Sequence, residues 1–312
     1  MSENKFISIV TPTFNEEENI EKLCLSVTNV MEKLKYDYEH IIIDNSSTDS
    51  TINILKKIAS KDKRIKVIVN SRNFGHIKSP VYGLLQSSGD ASILIAADFQ
   101  DPVELIEKYI SEWKKGHDVV LAQKNNSDEN FFNHLIKKIF YKFIKSISEV
   151  NLMTNTTGSG LFDKKIINII KKIDDPYPYF RGLLSEVTSN IKLIEFRQPK
   201  RERGKTKNNY YTLYDLGILG IIKHSKIPLR AITFVGFASS FFSMLIAVIF
   251  LFRKLLNWSS FDAGIAPLII GLFFIASIQI FLLGFIGEYV MSILTQTRRL
   301  PLVVEKERIN FE

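Results

Sequence analysis

Along residues 6–122, short apolar runs alternate with stretches whose apolar positions recur every three or four residues. The apolar runs are Phe6–Val10, Glu39–Asp44, Ile65–Val69, Ser92–Ala97 and Asp118–Ala122. Runs this continuous read as strands buried on both faces. Between them, helical stretches are expected from Glu16 to about Lys35, then over Thr51–Ser60, Ser79–Ser88 and Val103–Lys114. Pro102 falls at the first turn of the last of these. Regular β/α alternation predicts an α/β domain with a doubly wound, mostly parallel sheet.

Further along, the spacing predicts a helix over Phe131–Ile147, with Phe132, Leu135, Ile136, Ile139, Phe140, Phe143 and Ile147 on one broad face. It packs on the sheet or lies on a membrane surface. Tyr210–Arg230 is a second amphipathic region, where Tyr210, Tyr211 and Tyr214 accompany Lys223, Lys226 and Arg230, as at lipid headgroup level. Then Ile232–Phe252 runs 21 residues without a charge, and Ala263–Gly287 runs 25 more. At ~1.5 Å rise per residue each can cross a hydrocarbon core of ~30 Å. The short connector Arg253–Asp262 makes them a hairpin. Basic residues at the outer ends (Lys223, Lys226, Arg230, Arg298, Arg299) outnumber those of the connector, which places both termini in the cytoplasm. The expected organisation is a cytoplasmic domain over 1–208, juxtamembrane helices over 209–231, a transmembrane hairpin within 232–294 and a cytoplasmic tail over 295–312.

The 312 residues carry a net charge of +8. The basic excess suggests phosphates, anionic lipid or nucleic acid as partners. The basic residues cluster beside the hairpin and no nucleic-acid motif is present, so nucleic acid is not expected. One cysteine, Cys24, leaves no internal disulfide framework and fits a reducing compartment. No apolar leader follows Met1, so no signal peptide is expected. Small residues in the spans (Gly236, Ala238, Ser239, Ser240, Gly284, Gly287) permit close helix packing and suggest a homo-oligomer.

Four polar loops would meet at the C-terminal edge of the sheet, where open α/β sheets bind ligands. They are Pro12–Glu16, Asp44–Asp49, Ser71–Gly75 and Asp98–Asp101. Singly each serves equally well as turn and capping chemistry, Ser47, Thr48 and Asp49 above all. Hard oxygen ligands such as Asp98, Gln100 and Asp101 suit Mg²⁺ or Mn²⁺, which usually accompany substrate phosphates. Residues Arg197–Lys207 hold six basic groups and one acid, a net +5 directly before the hairpin. The five histidines show no ligand spacing.

Taken in order, these motifs carry a resemblance. Pro-x-x-Asn-Glu after the first strand, Asp44 closing the second, Arg72-Asn73-x-Gly75 after the third and Asp98-x-Gln100-Asp101-Pro102 after the fourth resemble family 2 glycosyltransferases. Arg201-Glu202-Arg203-Gly204-Lys205-Thr206-Lys207 is similar to a loop of one branch, the dolichyl-phosphate mannose synthases and bactoprenol glucosyltransferases. Gly287-Glu288-Tyr289, Arg299-x-Pro301 and the closing Glu-x-x-Asn-Phe run also look like that branch, so the resemblance spans nearly the whole chain.

The resemblance implies a GT-A-type domain that takes a UDP- or GDP-linked sugar and transfers it, with inversion, to a polyprenyl monophosphate. The setting would be the inner (cytoplasmic) membrane, in a cell-envelope or glycosylation pathway. By position, Pro12, Glu16 and Asp44 would contact base and ribose, with Arg72 and Asn73 completing the nucleotide set. Asp98 and Gln100 would hold Mg²⁺ or Mn²⁺ on the diphosphate, with Asp101 as a further catalytic carboxylate. Arg201, Arg203 and Lys207 would bind phosphate of donor or lipid. Because a phosphate monoester is already largely dianionic near neutral pH, with a second pKa of ~6, no catalytic histidine is expected.

The chain departs from the family pattern in three places. Ala96 stands where the metal motif usually has its first carboxylate. Asp44-Asn45-Ser46-Ser47 replaces Asp-Asp-Gly-Ser, and Asn155–Gly160 replaces a segment with two carboxylates and an arginine. Two alternatives therefore stand beside the polyprenyl phosphate reading. One is transfer to a lipid-linked saccharide or glycerolipid, distinguishable because a sugar phosphodiester is acid-labile. The other is a non-catalytic scaffold that binds nucleotide-sugar or lipid without turnover.

Overall fold

The computed structural model describes residues 5–124, 153, 156–197, 199, 220, 222–223, 225–256 and 265–311. The helix expected over Phe131–Ile147 and most of Tyr210–Arg230 lie outside the described residues, as do Arg201, Arg203 and Lys207. The N-terminal part alternates β1 (Ile7–Thr13), α1 (Ile20–Leu34), β2 (Tyr38–Asp44), α2 (Thr51–Lys61), β3 (Ile65–Asn70), α3 (Gly75–Leu85), β4 (Ala91–Leu94), α4 (Leu105–Lys114) and β5 (Val119–Lys124). Then come β6 (Thr156–Asp163), α5 (Lys164–Ile173), α6 (Phe180–Val187) and β7 (Ile191–Phe196). Two long helices, α7 (Ile227–Leu256) and α8 (Ile265–Thr297), precede a last strand, β8 (Glu305–Ile309).

All eight strands form one sheet in the order β7-β5-β6-β4-β1-β2-β3-β8. The contiguous strands β4, β1, β2 and β3 are parallel, as the alternation predicts. The sheet as a whole is mixed, because β6 runs antiparallel to both β4 and β5 and β8 runs antiparallel to β3. Apolar side chains of β2 go alternately to the two faces: Ile42 packs with α1, α2 and α4, whereas Ile41 and Ile43 pack with α3, α5 and α6. Strands clothed on both faces are largely apolar, which is why they read as near-continuous apolar runs.

Several element boundaries differ from the sequence reading for identifiable reasons. Helix α1 starts at Ile20, because the side chains and amides of Glu16, Glu17 and Asn19 are engaged in loop contacts. Helix α3 starts at Gly75 and keeps Pro80 inside it, so this proline does not mark the first turn. Asp101 does not cap α4, whose N-cap position is Glu104. β8 lies in the tail read as simply cytoplasmic; its sequence Glu-Lys-Glu-Arg-Ile suits a charged edge strand.

α7 and α8 include windows long and apolar enough to cross a membrane, Ile227–Ile246 and Gly271–Thr297, of mean hydropathy 1.6 and 1.9 and with no part buried in the chain. Phe234 and Phe237 are 73% and 75% exposed. So large a bare apolar surface suggests association with a membrane.

His40 sits at the centre of the sheet. Its Nε2 lies 2.9 Å from the Thr11 hydroxyl and its Nδ1 is buried without a partner among the described residues. Burial holds its pKa down to about 4 from an ordinary 6.5, against a weaker opposing pull from Asp62. Between those limits the unfolded chain binds more protons than the folded one. Stability should therefore fall as the pH drops from 6.5 toward 4, by up to about 1.4 kcal/mol per pH unit. Thermal melting in detergent across that range checks it, and His40→Asn should flatten the decline.

Candidate active site

Parallel register brings the C-terminal ends of the four central strands together. Thr13 pairs with Asp44, Asp44 with Val69 and Val10 with Leu94. The loops Pro12–Glu16, Asp44–Asp49, Ser71–Gly75 and Asp98–Asp101 consequently leave from one edge of the sheet.

The first two loops are laced together by hydrogen bonds. The Asn15 amide donates to Ser47 Oγ at 2.8 Å and the Thr48 amide to Asn15 Oδ1 at 2.8 Å. The Glu16 amide donates to Thr51 Oγ1 at 2.9 Å, and Glu17 accepts from the Ser50 amide at 2.9 Å. Pro12 is half-buried at the end of β1, beside Ile43. Asp44 is completely buried and accepts both the amide and the hydroxyl of Ser47, at 2.9 and 2.5 Å. Burial raises its carboxyl above the usual range even against these two bonds.

The second and third loops meet through amide side chains. Asn45 Oδ1 accepts from Asn70 Nδ2 at 3.0 Å and from the Phe74 amide at 2.9 Å. Asn45 Nδ2 donates to Asn73 Oδ1 at 2.8 Å, and Asn73 Oδ1 also takes the Gly75 amide at 2.8 Å. Asn73 thus shapes its own loop. Arg72 is exposed, with its guanidinium 4.2 Å from the centre of the Phe74 ring.

The fourth loop turns sharply. Phe99 has φ 55°, and its ring lies under Lys22 of α1 at 4.8 Å. Asn15 and Ser46 also adopt left-handed backbone, at 55° and 65°. Non-glycine residues in this region each cost of order 1–3 kcal/mol and gather at functional sites. Asp98 and Gln100 are half-buried, with the Gln100 amide donating to Asp98 Oδ1 at 3.2 Å. Asp101 is 4% exposed. Burial pushes its carboxyl up to about 6, with Asp98 adding to the rise and the Thr157 hydroxyl opposing it.

Residues 8–170 match the glycosyl transferase family 2. The chain belongs to this family. Over 95% of its length it is 33% identical to a glycosyltransferase of Synechocystis sp., covering 93% of that protein. It is 31% identical to the glycosyltransferase YkcC of Bacillus subtilis, covering 100% of this chain and 97% of that one. The bactoprenol glucosyl transferase of Shigella phage SfV is 30% identical over 96% of this chain and 98% of its own. Among solved structures, glucosyl-3-phosphoglycerate synthase from Mycobacterium tuberculosis aligns at a TM-score of 0.49, with 18% identity, over 70% of this chain and 78% of that one.

In this glycosyltransferase, β6 adds residues that motif order did not single out as site residues. Ser159 Oγ donates to the Leu94 carbonyl at 2.8 Å, and Thr157 bonds Asp101. Both pairings are long-range and leave no local signature. Asn45 is likewise a centre of the site, although its sequence shows only a departure from the family pattern. Among the described residues, no three His, Cys, Asp or Glu side chains cluster closely enough to hold a metal ion by themselves. The donor set still fits Mg²⁺ or Mn²⁺. Asp98 and Gln100 offer hard oxygens, and the buried Asp101 Oδ1 has no hydrogen-bond partner among the described residues. Such ions commonly take one or two protein ligands and complete their shell with substrate phosphates and water. A separate cleft of about 790 Å³ lies between the α5–α6 segment and the end of α8, lined by Asp175, Tyr179, Lys223, Tyr289 and Arg299 among others. None of the described sequence-predicted site residues lines it.

Asn45→Ala would leave the Phe74 amide and the Asn70 side chain without their acceptor. A loss of about 2 kcal/mol is expected, lowering Tm by roughly 4–8 °C for a domain of this size. Differential scanning fluorimetry checks it.

Proposed function

We propose that this membrane-associated glycosyltransferase moves a sugar from a UDP- or GDP-linked donor to a polyprenyl phosphate such as undecaprenyl phosphate. The observation that carries the reading is the likeness to the bactoprenol glucosyl transferase of Shigella phage SfV, which runs through the α7–α8 region as well as the catalytic domain. The convergence of four polar loops at one sheet edge supports a nucleotide-sugar site there.

The chemistry is a single displacement. An acceptor phosphate oxygen attacks the anomeric carbon, the bond from that carbon to the donor diphosphate breaks, and the electron pair leaves with the nucleoside diphosphate. The acceptor arrives ionised, so no strong base is needed to generate the nucleophile. The first three loops, with Pro12, Glu16, Arg72 and Asn73, hold the nucleoside, and Asp44, buried and bonded to Ser47, shapes the second loop beneath it. Asp98 and Gln100 would hold Mg²⁺ or Mn²⁺, which when bound neutralises charge developing on the leaving diphosphate. Arg201, Arg203 and Lys207 are assigned to the phosphates on the same electrostatic ground.

β8 lies in the same sheet as β1–β4, so the chain that departs into α7 comes back from α8 to the same domain. This return supports a two-span hairpin with the domain and both termini on the cytoplasmic side of the inner membrane. Gly236, Gly284 and Gly287 have nothing within 4 Å of where a Cβ would stand, room for a second copy to pack closely. A homo-oligomer is therefore expected in mild detergent, and light scattering that finds only monomer at every concentration would contradict it.

Asp98→Asn should lower sugar transfer by about 100-fold or more, the scale seen when one electrostatic group of a transition state is lost. The assay uses membranes holding the full chain, undecaprenyl phosphate, Mg²⁺ or Mn²⁺ and a panel of radiolabelled UDP- and GDP-sugars. Unchanged turnover in the variant would remove Asp98 from the site. Donor that binds to the parent protein but is never consumed would favour the scaffold reading.

A further inference from the structure

The C-terminal strand grips the third loop from both sides. At the start of the loop, the register between β3 and β8 shifts: Val69 pairs with Glu307 but Asn70 with Glu305, so Lys306 is the extra residue of a bulge. Bulges of this kind bend a strand and re-aim its neighbouring residues. Just beyond it, the Ser71 amide donates to the Val304 carbonyl at 2.8 Å.

Beyond the loop, Tyr82 of α3 donates its hydroxyl to Glu305 Oε1 at 2.8 Å. Arg308 donates to Gln86, the residue that caps α3, at 3.0 Å, and also pairs with Glu305. The segment Ser71–Gly75 is thus flanked by two attachments to one five-residue strand. Asn70, at the bulge, is also the residue that joins Asn45 and through it Asn73 and Phe74. Only residues 298–304 separate β8 from the end of α8.

The opposite end of β8 is anchored elsewhere. Asn310 Nδ2 donates to the Ala59 and Ile65 carbonyls, at 2.8 Å each, near the start of β3. One strand therefore has a loop-proximal anchor, Glu305, and a loop-distal anchor, Asn310.

We propose that β8 is a positioning element for the donor, with Glu305 and Tyr82 as positioning residues that set the Ser71–Gly75 loop and its amide cluster to receive the nucleotide. Donor binding then depends on the segment through which α8 rejoins the domain. The proposal rests on the reading of the four loops as the nucleotide-sugar site. It adds to that reading a role for the last strand of the chain.

Hydrogen–deuterium exchange on the full-length protein, without donor, reads the loop directly. Glu305→Ala should raise exchange at Ser71–Gly75 and leave α4 and β5 as they were. In the transfer assay it should raise the donor KM about fivefold or more at nearly constant kcat, the scale of one lost hydrogen bond. Glu305→Gln, which keeps an acceptor for Tyr82, should restore both. Asn310→Ala should lower Tm while leaving loop exchange and donor KM unchanged. Tyr82→Phe replaces Glu305→Ala if that variant does not fold.

Loop exchange that does not rise overturns the proposal, as does a donor KM that stays constant while exchange rises, or an equal effect from Asn310→Ala. Absence of transfer by the parent protein from every donor would count against the proposed function. The exchange comparison would still decide whether β8 positions the loop.

Discussion

The parallel register of β4, β1, β2 and β3 is the constraint on which the rest of the molecule depends. Strands covered on both faces are largely apolar along their length, and the helices that connect them cross the sheet faces, so their loops leave from the strand ends. Level C-terminal ends then deliver four connections to one place. Polar residues that would destabilise a strand become available for chemistry just where it ends. The helices satisfy the same constraint from outside: α1, α2 and α4 cover one face, and α3, α5 and α6 the other.

Loops gathered in this way must satisfy their own polar groups before they can recognise a ligand. Here most of the short polar side chains face inward, to neighbouring loops. Asn15 meets Ser47 and Thr48, Asn45 meets Asn70 and Asn73, and Asp44 is occupied by Ser47. This cross-bonding holds two left-handed residues, Asn15 and Ser46, in place and leaves the site preorganised. On the proposed reading, little protein rearrangement accompanies donor binding. The carboxylates of the fourth loop stand in contrast: Asp98 is half-buried, whereas Asp101 is deeply buried beside Thr157.

The central strands, the four loops and the two apolar helices were legible in the sequence because each rests on local pattern: continuous apolar runs, polar breaks after them, and length. The features that were not legible rest on distant partners or on ambiguous residues. Thr156–Asp163 reads Thr-Thr-Gly-Ser-Gly-Leu-Phe-Asp, with no clean alternation, yet it is placed as β6 between β4 and β5. Glu305–Ile309 looks like a solvated charge run, yet β3 offers it an open edge. The helix read over Ser79–Ser88 in fact begins four residues earlier, at Gly75, and carries Pro80 inside. Asn45 resembled a mere substitution until its partners, 25 to 29 residues away in sequence, came into contact.

The central claim is the acceptor: a lipid phosphate brought to the sheet edge by a chain that leaves the domain through α7 and returns through β8. The most direct measurement is mild acid hydrolysis of the labelled lipid formed from a radiolabelled nucleotide-sugar and undecaprenyl phosphate. A sugar joined through a phosphodiester is released, and the account predicts that release. A labelled lipid whose sugar survives the same treatment would be an ordinary glycoside and would contradict it.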